Sequence, residues 1–245
     1  MTPCVRKDHN MAKNLLNYTD GFNPELVEGA FFDGRFEIPI LKPLNLDEFV
    51  IPRVLVPFSK RNCIKNPKDA FVCTYEPDKN FTQLIRDPEL LINDLRRFGG
   101  VIAPDNSLAA DAPFLCQAAN AYRRNAIAYV LQKYDIPVIA NPRWCDERSY
   151  STLTFPEPIA FLGNPKHNIV CIGSYGSIRG GERSYQFKKG LEAMLNYLEP
   201  KIVLVYGSMP DKIFKGFLSR AKFIRYDDWT TYCHKRKDCY GSPID

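Results

Sequence analysis

The sequence predicts an α/β protein built on a mostly parallel sheet of about seven strands, and three features carry that prediction. Apolar runs alternate with helix-length amphipathic stretches from residue 50 to residue 226. The runs are continuously apolar, as in Ile-Val-Leu-Val-Tyr at 202–206, whereas a half-exposed strand would alternate apolar with polar residues. Helix-start and helix-stop residues separate them. Strands of that kind are covered by helices on both faces. The sheet then closes either as an open doubly wound sheet or as an incomplete barrel. No Gly-x-Gly-x-x-Gly follows the first strand, which favours the barrel over a dinucleotide fold.

The elements follow in order. Residues 50–58 are β-branched and form the first strand, with Pro52 and Pro57 bounding its regular part. Residues 70–75 form the second. Asp87-Pro88-Glu89 opens a helix with a cap, a proline at the first position and an acid facing the dipole. Gly99-Gly100 ends it, and 101–103 is a strand. Asp111-Ala112-Pro113 opens the next helix, whose stripe is Leu115, Tyr122, Ala126, Tyr129 and Val130. Residues 136–140 and 169–172 are strands. Ser184 caps a helix with Phe187, Leu191, Met194, Leu195 and Leu198 on one face, and Pro200 ends it. Residues 201–206 are a strand, 211–219 a short helix and 222–226 a last strand.

Ahead of this series, residues 1–45 place glycines and prolines, among them Gly21, Pro24, Gly29, Gly34, Pro39 and Pro43, between scattered aromatics such as Phe31, Phe32 and Phe36. They read as an extended, irregular arm packed on a single α/β domain spanning 46–245. The chain has 245 residues and a net charge of +5, a mild basicity that permits nucleic acid without arguing for it. Its longest apolar runs are far too short to cross a bilayer, and its first residues lack the apolar segment of a secretory signal. The expectation is a cytoplasmic protein with no membrane partner. Eight cysteines, several inside predicted strands and helices, read as reduced interior thiols in preference to a disulfide framework. Cys233-His234-x4-Cys239 is the one cluster with metal-ligand residues, but it lacks a Cys-x-x-Cys knuckle, so no metal site is assigned.

In parallel α/β proteins ligands bind at the carboxyl ends of the strands. Four successive strands here end in small or polar residues: Asp105 after 101–103, the run 141–148 after 136–140, Gly173–Ser177 after 169–172, and Gly207-Ser208 after 201–206. Asp105, Asp146 and Glu147 are the candidate acid–base groups. Each also has a plain reading as a turn or surface residue. Arg143 and Arg148 suit phosphate or carboxylate groups, and Trp144 or Tyr175 offers a stacking face. Asn141 supplies an amide at a strand tip. Ser174, Tyr175 and Gly176 leave backbone amides open ahead of a helix, with Arg183 adding charge. Tyr206 and Ser208 flank a glycine that lets backbone approach closely. The plain alternatives are a flexible connection for the glycine-bearing loop and mutual ion pairing for the charged one.

Other chemistries find little support. The three histidines (His9, His167, His234) give no Cys-His dyad with Cys145, no Ser-His-Asp triad and no zinc-binding HExxH pair, and the phosphate-loop spacing GxxxxGK[ST] is absent. The basic pairs Arg96-Arg97 and Arg123-Arg124 and the stretch 234–237 read as solvated surface, or as phosphate contacts if the partner is a nucleic acid.

The blocks VIAPDNS (101–107), AYRRNAIAYVLQ (121–132), IPVIANPRWCDERSY (136–150), IVCIGSYG (169–176) and FKKGLEAMLNYLEPKIVLVYGS (187–208) stand in an order that resembles domain-of-unknown-function family 4417, found in bacteriophages, plasmids and mobile elements. The resemblance covers about residues 50–210, with Tyr75-Glu76-Pro77-Asp78 as a weaker block. The family pattern has an aromatic residue where Asn106 stands, while Asp105 is retained. The resemblance implies a phage or mobile-element setting and no reaction type or cofactor. Three expectations result: a protein that binds, or acts on, a phosphate-bearing small molecule such as a nucleotide at its strand ends; an accessory factor for nucleic-acid replication or transfer; and an inhibitor of a host defence component. Cofactor and oligomeric state are left open.

Overall fold

The computed structural model describes residues 22–153 and 155–235. A short antiparallel pair, β1 (Phe32–Asp33) and β2 (Ile38–Pro39), precedes seven parallel strands. These are β3 (Val54–Pro57), β4 (Ala70–Cys73), β5 (Gly100–Ile102), β6 (Val138–Ile139), β7 (Ile169–Gly173), β8 (Ile202–Tyr206) and β9 (Lys222–Tyr226). The helices are α1 (Thr82–Arg86), α2 (Ile92–Leu95), α3 (Phe114–Lys133), α4 (Glu147–Tyr150), α5 (Gly181–Leu198), α6 (Asp211–Phe214) and α7 (Trp229–Lys235).

The mixed α/β class with parallel sheets holds, but the expected single sheet is divided. Strands β3-β4-β5-β6 form one sheet and β7-β8-β9 another. A lone parallel bridge, Ala140 with Val170, and one hydrogen bond from Cys171 N–H to Ala140 O join them. The break has a local cause. Strand β6 is two residues long, and Pro142 follows with no N–H to extend the ladder. Neighbouring strands keep chain order within each sheet.

Among the described residues, helices cover one face of this row, not both. Val56, Val72, Val101, Val138, Val170 and Val203 face a core shared with α1, α2, α3, α5 and α6. The alternate residues (Leu55, Phe71, Cys73, Ile102, Ile139, Cys171, Leu204) form a second cluster to which no helix of the described residues contributes, covered by Leu44, Leu46, Phe49 and Ile51. The row is curled over that second cluster. Tyr75, just past β4, stacks on Tyr206 at the end of β8 with ring centroids 5.0 Å apart. At the outer edges, the Tyr226 hydroxyl of β9 donates to Pro52 O ahead of β3 at 2.7 Å.

Several boundaries differ from expectation. Asp87 makes no side-chain cap, and the helix expected over 87–98 is a 3-10 turn followed by the single turn of α2. Helix α5 starts at Gly181, so Ser184 lies inside it and its hydroxyl donates to Ile178 O. The stripe of α3 runs through Gln117, Ala121, Arg124 and Ala128, and Leu115 is exposed. Residues 22–45 lie largely against α3: Val27, Ala30 and Phe32 meet Ala126, and Ile38 meets Ala118 and Ala121. The rest of the predicted arm, 1–21, and Cys239 of the Cys/His cluster lie outside the described residues.

Candidate functional site

Parallel strands send their following loops out at one rim, and four of those loops meet. Asn141, after β6, is at the centre and almost wholly buried. Its Nδ2 donates to Ala103 O at 3.1 Å and to Asp105 Oδ1 at 3.2 Å, both after β5. Its Oδ1 accepts from the Tyr75 hydroxyl at 3.1 Å. Asp105 is held from β4 as well, its N–H donating to Thr74 Oγ1 at 2.6 Å. Arg143 completes the chain. Its Nη1 donates to Ser177 Oγ at 3.0 Å, beyond β7, and its Nε stands 3.6 Å from Asp105 Oδ1. Tyr75, Asn141, Asp105, Arg143 and Ser177 therefore tie together the ends of β4, β6, β5 and β7.

A floor of close packing supports the cluster. A Cβ at Gly173 would lie 2.6 Å from the Tyr75 ring, so only glycine lets that ring cross the strand end. Burial, then the charge of neighbouring groups, raises the pKa of the Tyr75 hydroxyl well above the usual tyrosine range, which keeps it a donor to Asn141. Asp78 stands at the edge. Burial and the charge of Asp105 push its carboxyl up, and Ser107 Oγ donates to its Oδ1 at 3.4 Å.

Beneath the rim lies Arg124 of α3, with no exposed surface. Its Nε donates to Asn125 Oδ1 at 3.0 Å and its Nη2 to Ala160 O at 3.3 Å. Burial pulls its pKa down to about 10, Asp105 pushes it back up and Arg143 pulls it down. Arg124 thus lies within electrostatic reach of both and stays charged at neutral pH. Among the described residues five buried side-chain polar atoms lack a hydrogen-bond partner. Four belong here: Asn106 Nδ2 and Oδ1, Arg124 Nη1 and Arg143 Nε. Native proteins rarely leave such atoms unpaired, which makes these four the candidate ligand contacts.

The pattern defining the domain of unknown function DUF4417 matches residues 30–227, most of the chain. The chain belongs to the DUF4417 family. Its relatives include the Gene 1 protein of Mycobacterium phage L5, 25% identical over 175 residues, 71% of this chain and 72% of that protein. The Gene 1 protein of Mycobacterium phage D29 is 26% identical over 132 residues, 54% of this chain and 46% of that protein. No solved structure matches the chain. No helix among the described residues is long and apolar enough to cross a membrane.

The whole polar cluster falls inside the DUF4417 span, but it does not include every residue predicted for it. Asp105, Asn141 and Arg143 are there. Ser174 is buried and committed, donating to Ser208 O at 2.6 Å and Tyr206 O at 3.3 Å, so it fixes two strand ends together. Tyr206 is buried under Tyr75, and its hydroxyl accepts from Trp229 N–H. Ser208 is exposed and contributes its carbonyl to Ser174. Tyr175 is 52% exposed on the rim, Gly176 takes a positive φ beside it, and Arg183 is exposed on the first turn of α5.

The 144–148 segment departs from its predicted roles. Trp144 is not a stacking face: it lies in the helix-side core against Phe161, Phe187 and Gly190, and its Nε1 donates to Phe187 O. Asp146 caps α4 by accepting from Arg148 N–H, and it also accepts from the Arg148 guanidinium at 2.7 Å. That guanidinium further donates to Ala110 O and Ala112 O. Asp146 and Arg148 thus brace two loops against each other and are not available for acid–base or phosphate work. Glu147 is exposed on the first turn of α4. The Cys145 thiol, raised to about 11 by burial and by Asp146, is no thiolate nucleophile.

Of the predicted basic pairs, Arg96-Arg97 lies on the surface as expected, and Arg123-Arg124 is divided between surface and interior. Arg96 donates to Tyr134 O, Arg97 to Asp94 and Asn62, and Arg123 to Asn120 while lying over the Phe22 ring. Arg124 is interior. The sequence reading also passed over Thr74, Asn106 and Ser177 as side chains. A signal for Arg124 existed: counted from Gln117 at helical spacing, it is a charge in the middle of a buried stripe. A separate cleft of about 350 Å³ opens between β3 and β9, lined by Ile51, Pro52, Ile224 and Tyr232 among others. Of its charged groups, Arg225 and Asp227 pair with each other and Arg53 pairs with Asp69. The unpaired buried atoms make the rim cluster the stronger candidate.

Proposed function

We propose that this protein binds a phosphate-bearing small molecule, such as a nucleotide, where β4 to β7 end. Parallel strands of either closure bind ligands beyond their carboxyl ends, which supports this location. The observation that carries the reading is an imbalance: two largely buried guanidiniums, Arg124 and Arg143, lie within electrostatic reach of one carboxylate, Asp105, and each keeps an N–H with no hydrogen-bond partner. A buried donor left unpaired costs about 1–3 kcal/mol, and more when charged. An anionic oxygen accepting from both would recover that cost and neutralise the excess charge. Tyr175 on the rim offers its half-exposed ring to a base.

Thermal shifts measured with inorganic phosphate and with mono-, di- and cyclic nucleotides test the reading. It expects a rise in Tm with at least one of them that Arg143→Met abolishes. No rise with any of them overturns it.

A further inference from the structure

We infer that the group recognised at this rim is an oxyanion that still carries a proton, such as hydrogen phosphate, and that Asp105 and Asn106 select for that proton. The inference rests on the phosphate reading and narrows it. A site for a fully ionised oxyanion needs donors alone, because every ligand oxygen is an acceptor. This one mixes donors with acceptors. The donors are Arg124 Nη1, Arg143 Nε and Asn106 Nδ2, all buried and without a hydrogen-bond partner. The acceptors are Asn106 Oδ1, equally buried and unpartnered, and the carboxylate of Asp105. Both contacts of that carboxylate use Oδ1, from Asn141 and from Arg143, which leaves Oδ2 to accept.

The two acceptors decide what fits. Inorganic phosphate at neutral pH keeps at least one O–H and can donate to one of them while its other oxygens accept from the arginines. Sulfate has no proton at that pH. Its oxygens would meet the Asp105 carboxylate as like charges and leave Asn106 Oδ1 unsatisfied. A site built to bond a ligand hydroxyl rejects an analogue lacking it more strongly than lost contact alone explains, since the buried partner stays unpaired. A phosphate monoester loses its last proton near pH 6. It should therefore bind here more tightly below that pH than above it, unless a neighbouring hydroxyl supplies the donor.

The test is calorimetric titration of the full chain with sodium phosphate and with sodium sulfate at pH 7 and matched ionic strength. Phosphate should bind at least about tenfold more tightly than sulfate, the scale of one hydrogen bond to a charged group. Asp105→Asn should close most of that gap by improving sulfate. The comparison in the unaltered protein needs no variant to fold. Equal affinity for the two anions overturns the inference while leaving an anion site in place. Nucleotide binding with no phosphate binding overturns it too. Silence toward both anions and all nucleotides brings down the reading beneath it.

Discussion

Asp105 Oδ1 and Arg143 Nε stand 3.6 Å apart, close enough to attract and too far for a hydrogen bond between those atoms. Arg143 is anchored at its other end by Ser177, so it spans two strand-end loops with its buried Nε–H making no hydrogen bond. Replacing it should cost little stability, because a partly exposed pair contributes about 0–1 kcal/mol. Affinity for an anion should suffer far more. Arg143→Met is expected to weaken inorganic phosphate binding at least about tenfold, while a thermal melt stays within a few degrees of the parent. Unchanged affinity would remove Arg143 from the site.

Arg124 sets the opposite balance. A guanidinium with no exposed surface and one orphaned N–H carries a large desolvation cost that its two hydrogen bonds only partly offset. Arg124→Met keeps much of the volume and removes that cost. The expected result is a Tm equal to or above the parent's, together with loss of phosphate binding. A fall in Tm of about 10 °C or more would instead make Arg124 a structural residue whose charge the fold requires.

Two glycines separate packing from binding. Gly173→Ala drives a methyl into the Tyr75 ring, and Gly190→Ala drives one into the Trp144 indole. Each overpacks its neighbour and should destabilise by about 1–3 kcal/mol. Only the first disturbs the ring whose hydroxyl donates to Asn141. Below both melting temperatures, Gly173→Ala should bind phosphate more weakly and Gly190→Ala should bind it normally. Equal loss in both would mean that affinity tracks general stability.

What the sequence disclosed and what it hid differ by the kind of information involved. Continuous apolar runs placed all seven parallel strands, because burial leaves a local trace in residue type. The placement of Asp105, Asn141 and Arg143 was legible for a related reason: a polar residue just past a strand falls on the rim where the strands end, whatever the loop does. The fate of Asp146 and Arg148 was not legible. Two residues apart in sequence, they can point to the rim or to each other, and the carbonyls of Ala110 and Ala112 that draw Arg148 away lie some forty positions earlier. Trp144 was lost the same way, to a notch made by Gly190 on a helix not yet placed. The division of the sheet turned on a two-residue strand followed by Pro142, a break that apolar patterning does not register.

Alkaline pH supplies a check on the interior that needs no ligand. Burial lifts the Cys145 thiol to about 11 and the Cys171 thiol to about 12, from an ordinary 9.0. Below pH 9 folded and unfolded chains both keep these thiols protonated, so neither group makes stability depend on pH. Above it the unfolded chain releases the protons while the folded chain retains them, and the unfolded state gains. Tyr150, raised to about 12, adds the same trend from its ordinary 10.0 upward. Melts should therefore hold level from pH 7 to about 8.5 and decline steadily between 9 and 11. Cys171→Ala, which removes one such group from the inward-facing cluster, should flatten part of that decline. Native alkylation at pH 8 gives the matching local readout: the exposed thiols of Cys63 and Cys116 should react, and those of Cys73, Cys145 and Cys171 should not. Rapid modification of Cys145 in the folded protein, or a Tm that rises through pH 10, would contradict the burial assigned to it.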